Sequence, residues 1–479
     1  MLAPYVGTSH FVWTAQIAVT LVALSTGYYV GGRLADRSPT LGRLYACIIA
    51  AAVYLCVAVL VTERVAYAFL KLRLAIGSLL TSGFLYFVPL ALLAMVGPYL
   101  VRVITSSVSS VGSAVGRLTA ISTIGSFVGT VLIGYVLIPY LPNSVTMGIT
   151  AFILIAIAVA YFLIWAQRRG KVAAVVVLAA GGVAAFAAGR PKGWHGTSAV
   201  ELFRGNSNFG LLQVLQLTGD SRRMYLNDYL VQNIYDTNLQ QSTTMFTYML
   251  HDLARAYVPQ IQDVLCIGLG VGIVPMNFAK EGIRVDVVEI NPAVVPVAQK
   301  FFAFDPARVN IHLGDGRHYL ATSSKQCDAV ILDAFLGDSS PSHLMTREAF
   351  SGMRRLLRPG GVLVINCFGD FEPGQDFFVA SLEKTLKQVF KDVRIHNERN
   401  GGNVFFVASQ SPLQLSRPSS FEYVHPRARH MVEDAFDRII ETIPEHGMVL
   451  TDDYNPVEFY DAANREQIRK NLAFSMKQF

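Results

Sequence analysis

Six long charge-poor runs, at residues 10–32, 42–62, 75–101, 118–140, 146–165 and 172–189, constrain this chain more than any other feature. Each has roughly the 18 to 25 residues needed to cross a ~30 Å hydrocarbon core. They account for a charged fraction of 15%, where soluble proteins average about 25%. From about residue 195 the charged, aromatic and turn content becomes ordinary. That second part is long enough to bury a core of its own. The N-terminal stretch lacks a basic region and a cleavage site, so it reads as a span and not as a cleaved signal peptide.

Basic residues flank the runs. Arg33, Arg37 and Arg43 follow the first, Arg102 and Arg117 the third, and Arg168, Arg169 and Lys171 the fifth. The positive-inside rule makes those loops cytoplasmic. Six full spans would then deliver the second part to the outer side, a poor place for an enzyme fed by a cytosolic cofactor. The Ala- and Gly-rich run 172–189 is the weakest span, and a cytoplasmic second part of an inner-membrane protein is the expectation kept. Ionisable residues are nearly absent within the spans, which argues against ion-coupled transport. The small residues of "STIGSFVG" and "GTVLIGYVLIP" suit close helix packing.

A net charge of +6 with no basic stripe in the second part excludes a nucleic-acid surface. Five cysteines without a CxxC spacing suggest neither a disulfide framework nor a metal site. Alternating "NFGLLQVLQL", "RRMYLND" and "YLVQNIYD" predict a small antiparallel sheet over about 207–236. Strands and helices then alternate from "DVLCIGLG" to "VLVINCFGD", which predicts a parallel sheet with helices on both faces. A helix and two further strands follow. The tail "PRARHMVEDAFDRIIETI" is helical in pattern. The expected domains are 1–190 (transmembrane helices), 195–240 (small sheet), 241–410 (Rossmann-like) and 411–479 (C-terminal extension).

Four features follow in order along the strands. Gly268, Gly270 and Gly272 end the strand "DVLCI", where glycines let backbone approach a ligand at a helix N-terminus. A glycine-rich turn with no ligand is the competing reading. Glu289 ends the next strand, 17 residues after Gly272, at the spacing of a carboxylate that accepts from ribose hydroxyls. Asp315, before Gly316, stands where a carboxylate can accept from an adenine amino group, or simply shape a turn. Asp333 ends the buried strand "AVILD", on the edge where open parallel sheets bind ligands. It could accept a proton or hold an ammonium group.

Taken together these features resemble the S-adenosylmethionine-dependent transferase fold. More narrowly, from about 205 to 410 they resemble the spermidine synthase (polyamine aminopropyltransferase) family. The stretches "GYYVGGRLADR", "DAFLGDSSPSHLMTREAF" and "LTDDYNPVE" resemble a membrane-fused branch of it. The resemblance implies an α-helical transmembrane bundle joined to a Rossmann-like methyltransferase-type domain with a small preceding sheet. It implies aminopropyl transfer from decarboxylated S-adenosylmethionine to an amine, with Asp333 catalytic. Glu289, Asp315, Gly316 and Gln232 would bind the nucleoside beside the three glycines. Tyr248 would face the substrate. Apart from the resemblance, Asp338 stands near enough to replace the family Asp that is Leu336 here, and Asp452, Asp453 and Glu458 could add charge from the tail, with an Asx-type turn at Asn455-Pro456 as the competing reading of that stretch. No metal is implied; a homodimer in a lipid bilayer is.

This chain departs from the family pattern. Val271 stands where the glycine-rich loop of the family keeps an acid that binds the donor's amine. The family's Tyr-His-Glu run reads Tyr248, Met249, Leu250 here, and its second Asp is Leu336. Methyl transfer from intact S-adenosylmethionine is therefore a competing expectation, and a non-catalytic nucleoside-sensing membrane protein a third.

Overall fold

A computed structural model of the protein describes residues 10–105, 111–190, 198–335, 341–398, 402–440 and 447–460, with Tyr5, Ser107, Glu466, Gln467 and Lys470. The chain divides into two compact units, Met1–Gly193 and Trp194–Phe479. Among the described residues of the first, six helices are long and apolar enough to cross a membrane: α1 (Phe11–Arg37), α2 (Leu41–Phe69), α3 (Leu74–Ile104), α4 (Val111–Tyr140), α5 (Asn143–Trp165) and α6 (Arg168–Gly189). Each apolar run of the sequence thus becomes one helix. Five-residue π-helical turns at Gly83–Phe87 and Ile133–Leu137 interrupt α3 and α4 just before Pro89 and Pro139. A proline lacks the N–H and its ring clashes with the carbonyl four residues back, and a widened turn relieves that conflict.

The close packing expected of "STIGSFVG" and "GTVLIGYVLIP" is found elsewhere. Gly125, Gly129 and Gly134 have no neighbouring atom within 4 Å of where a Cβ would stand, and Val111–Leu132 has no buried residue. Intimate contact falls instead at Gly27 of α1, where a Cβ would stand 2.3 Å from the Ala91 carbonyl oxygen of α3. Small residues permit close approach but do not choose the helix that makes it.

The second unit begins with an antiparallel sheet in the order β1 (Ala199–Ser207), β2 (Gly210–Leu217), β3 (Arg222–Asn227), β4 (Leu230–Asp236) and β5 (Gln241–Ser242). It is wider than the three alternating segments suggested. Helix α7 (Phe246–Tyr257) leads into the main sheet. Its strands are β6 (Asp263–Ile267), β7 (Arg284–Glu289), β8 (Asn310–Leu313), β9 (Cys327–Leu332), β10 (Leu357–Gly369), β11 (Asp392–Asn397), β12 (Gly402–Ser409) and β13 (Ile439–Ile440). The spatial order is β13-β11-β12-β10-β9-β6-β7-β8.

Strands β6 to β10 run parallel, and β12, β11 and β13 are added antiparallel. The β11–β12 connection is too short for a crossover, so antiparallel pairing is the available arrangement. Helices α8 (Ile273–Lys280), α9 (Val294–Phe301), α10 (Gly316–Thr322), α11 (Arg347–Leu356) and α12 (Phe377–Lys387) complete the alternation. Alternate strand residues feed opposite cores. Val264 and Cys266 join α7 and the small sheet on one face, while Leu265 and Ile267 join α10, α11 and α12 on the other. Burying each such side chain contributes about 1.5–3 kcal/mol, which fixes the strand register.

In the tail, helix α13 spans Pro426–Asp437 and stops short of its expected length. Arg438 turns extended, and Ile439 and Ile440 pair with His396 and Ile395 at the sheet edge. Two successive β-branched residues favour that pleated edge over another helical turn.

Candidate active site

Strands β6 and β9 are neighbours in space but not in sequence, with β7 and β8 on one side and β10 on the other. Ligands bind outside the carboxyl ends of such strands, where the strand order reverses. A cavity of about 410 Å³ opens there, within the ~300–1,000 Å³ usual for small-molecule sites.

The loop after β6 is shaped by its glycines. Gly268 has φ +101°, and a Cβ on it would stand 2.2 Å from the carbonyl oxygen of Asp333. Only glycine lets the two strand ends meet this closely. Gly272, at φ +82°, is the left-handed residue from which α8 starts. Gly268, Gly270 and Val271 line the cavity; Gly272 does not, and serves the turn.

Glu289, at the end of β7, is buried and lines the cavity. Its Oε2 accepts from the Leu269 N–H at 2.9 Å and its Oε1 from the Asn291 N–H at 2.7 Å. Burial raises its carboxyl above the ordinary value, and the donated backbone N–H groups partly offset that. The carboxylate thus braces the glycine loop, and each oxygen keeps a lone pair for a further donor. Asp315 caps α10, with Oδ1 accepting from the N–H groups of Arg317 and His318. Its Oδ2 lies 3.2 Å from His343 Nε2. Both Asp315 and Gly316 line the cavity, so the turn-forming role and a cavity position coincide in one residue.

Asp333 stands at the carboxyl end of β9. Burial pushes its carboxyl up to about 6, against a hydrogen bond from Asn366 that lowers it. Asn366 Nδ2 donates to Asp333 Oδ1 at 2.9 Å, and Asn403 Nδ2 donates in turn to Asn366 Oδ1 at 2.8 Å. The relay fixes the carboxylate with neutral donors, leaving its charge uncompensated among the described residues. A carboxylate in that state is suited to taking a proton or facing a cation.

The remaining expected residues divide. Gln232, on β4, lines the cavity. Tyr248 is not among the lining residues. Its hydroxyl donates to the Ser242 carbonyl at 2.7 Å and accepts from the His425 N–H at 3.3 Å, which ties α7 to the tail. Asp452 pairs with Arg317 and accepts from Thr346 Oγ1 at 2.7 Å. It anchors a turn in which the Tyr454 N–H bonds Thr451 Oγ1 and Asn455 reaches the Ser342 carbonyl. Neither Asp452 nor the exposed Asp453 lines the cavity. Asp338 and Leu336 lie outside the described residues.

Asn366 and Asn403 were missed at the sequence level, although each is a lone amide beside an apolar run, "VLVINCF" and "NVFFV". Phe335, Phe368 and Met431 also line the cavity. No local pattern marks them, because the fold gathers them from separate segments.

Against known proteins, the family described as "Spermine/spermidine synthase domain" matches residues 244–397. A polyamine aminopropyltransferase of Vibrio vulnificus is 38% identical over 136 residues, which is 27% of this chain and 46% of that protein. An N-terminal histidine N-methyltransferase of Emericella nidulans is 33% identical over 141 residues, 28% of this chain and 25% of that protein. A putrescine N-methyltransferase of Nicotiana tabacum is 32% identical over 126 residues, 25% and 36% of the two chains. The chain spans less than half the length of each of these relatives. The matched block holds the glycine loop, Glu289, Asp315, Asp333 and Asn366.

Proposed function

We propose that the α/β unit transfers an aminopropyl group from decarboxylated S-adenosylmethionine to an amine. The observation that carries this reading is the backbone contact between Gly268 and Asp333. It sets a nucleoside-type glycine loop directly against the half-buried carboxylate of Asp333, whose pKa is raised. The residues fit the donor: the loop is shaped by left-handed glycines, Glu289 retains lone pairs for hydroxyl donors, and Asp315 with Gly316 offers a polar rim. When bound, the donor supplies a sulfonium-activated carbon, whose C–S bond breaks as the N–C bond forms and methylthioadenosine leaves.

The protein's share of the work is positioning and proton handling. The amine must be neutral at attack, and the nitrogen sheds its proton as the new bond forms. Asp333 accepts that proton, and the Asn403–Asn366 relay keeps its carboxylate aimed. A carboxyl poised near 6 is mostly ionised at neutral pH and can still hold the proton briefly.

Val271 favours a second reading, methyl transfer from intact S-adenosylmethionine. It lines the cavity while only 2% exposed, and presents no charge to a donor's ammonium. Calorimetric titration of the purified protein with both donors separates the two. Preference for the decarboxylated form is the expected result, and preference for the intact form assigns methyl transfer.

We infer that α1–α6 insert in a bilayer. With all six crossing, the basic loops place the α/β unit on the outer face, whereas donor supply favours the cytoplasmic one. The cytoplasmic placement requires α6 not to cross. A topology reporter fused after Phe479 decides this: cytoplasmic signal supports the placement, and external signal overturns it.

A further inference from the structure

We propose that the tail turn 450–455 positions the base-binding wall of the cavity, although the turn itself does not line it. The proposal rests on the transferase reading above, which supplies an adenosyl donor. It is carried by the hydrogen bonds that join this turn to both residues of one wall. Those residues are Asp315 and His343, which line the cavity from separate elements. Asp315 caps α10 through Oδ1. His343, on the 3₁₀ turn Ser342–Leu344, donates from Nε2 to Asp315 Oδ2 at 3.2 Å, since a carboxylate has no proton to give. Oδ2 thus accepts one bond and keeps a lone pair, with its direction set by His343. An amino group on a nucleobase is the matching donor.

The tail turn ties both elements. Asp452 pairs with Arg317, the second residue of α10. Its Oδ1 accepts from Thr346 Oγ1 at 2.7 Å, and its N–H donates to Glu348 Oε2 at 3.0 Å. An exposed Arg–Asp pair alone contributes little. Here the pair is locked to a buried hydroxyl: Thr346 is 1% exposed, and its Oγ1 also accepts from Arg317 Nη1 and from the Ala349 N–H, each at 3.2 Å. One donated and two accepted bonds use the whole capacity of that hydroxyl. At the other end of the turn Asn455 Nδ2 donates to the Ser342 carbonyl at 2.9 Å, one residue before His343. A single brace on α10 and on the 3₁₀ turn therefore holds Asp315 and His343 in register, which neither element does alone. The stretch "LTDDYNPVE" supplies the position of the base and not charge for the acceptor.

The test is equilibrium binding of methylthioadenosine and methylthioinosine to the full-length, detergent-solubilised protein. The second nucleoside carries an oxo group in place of the amino group, an acceptor where Asp315 needs a donor. We expect the unaltered protein to prefer methylthioadenosine by about tenfold or more. Asp452→Ala should weaken methylthioadenosine about tenfold and bring the two nucleosides within about threefold of each other. Asn455→Ala, at the other end of the brace, and His343→Ala, at the wall itself, should narrow the preference in the same way. The ratio of the two affinities does not depend on the folded fraction, so partial unfolding cannot imitate this result. In the transfer assay Asp452→Ala should raise the donor KM and leave kcat within about twofold. Unchanged preference in both Asp452→Ala and Asn455→Ala overturns the proposal and leaves the transferase reading standing. Equal binding of the two nucleosides by the unaltered protein also overturns it. If the unaltered protein binds neither nucleoside, the transferase reading falls and takes the proposal with it.

Discussion

The two ends of the parallel strands treat the same kind of side chain in opposite ways. At the amino end, Asp263 opens β6 between two guanidinium groups, with Arg284 Nε at 2.6 Å and Arg358 Nη2 at 2.6 Å. These hold its carboxyl down to about 2, Arg284 having the larger effect. Arg358 also binds Asp328 at the start of β9 at 2.9 Å. At the carboxyl end of β9, Asp333 is surrounded by amides and apolar groups, and burial raises its carboxyl to about 6. The first end spends its charge on joining strands. The second holds a carboxylate whose charge costs stability, the property on which its proposed role as base rests.

The sharpest way to break this contrast is Asp333→Asn. Transfer should fall by about 10²–10⁴-fold in kcat, the usual share of a general base, while donor binding by calorimetry stays within about threefold. Stability should move the other way. A carboxyl raised in the folded state opposes folding as pH climbs from its unfolded value towards the folded one. At pH 7 the variant should therefore unfold later, by about 2 kcal/mol. Unchanged turnover, or lost stability, would place Asp333 with the structural carboxylates.

Arg358→Met should do the reverse. Removing one partner of Asp263 and Asp328 should cost about 2 kcal/mol in denaturant unfolding, and leave kcat per folded molecule unaltered. Because the Asp263 carboxyl is depressed, its stabilising share is complete above the unfolded carboxyl value near 4 and is lost as pH falls towards 2. The difference between wild type and variant should shrink over that window.

A finer test concerns the relay. The acid limb of kcat/KM should lie near pH 6, with rate rising as Asp333 ionises. Asn366→Ala deletes a hydrogen bond that favours the charged form, so the limb should move up by about one pH unit. A downward shift would mean that the amide does not stabilise the carboxylate. The smallest effect is expected from Asp453→Asn. It is exposed and away from the cavity, and stability and turnover should each stay within about 0.5 kcal/mol of the parent.

What the sequence disclosed follows the range over which each feature is encoded. The six apolar helices were legible because length and hydrophobicity are local. That Gly268, Gly270, Glu289, Asp315 and Asp333 stand together at one cavity was legible because each ends or follows a strand within one continuous block. Tyr248 looked like a substrate contact, yet its hydroxyl closes a joint between Ser242 and His425, a contact 177 residues apart in sequence. The direction of β11 and β12, and the end of α13 at Asp437, depended on pairing partners that no window of sequence contains. Asn366, Asn403, Phe368 and Met431 meet only once β10, β12 and α13 have assembled.

That assembly has a temporal side. The cavity draws its wall from residues between Phe209 and Met431, and the Asn403–Asn366–Asp333 relay closes only with β12. During synthesis the helical unit leaves the ribosome first, then the glycine loop, then Asp333, and the amides that aim it last. A nascent chain stalled before β12 would carry the glycine-loop side of the pocket and an unaimed carboxylate. On the proposed transferase reading, chemical competence arrives as a late event in translation, and a chain cut between β10 and β12 should retain the strand-end loops without the amides that hold Asp333.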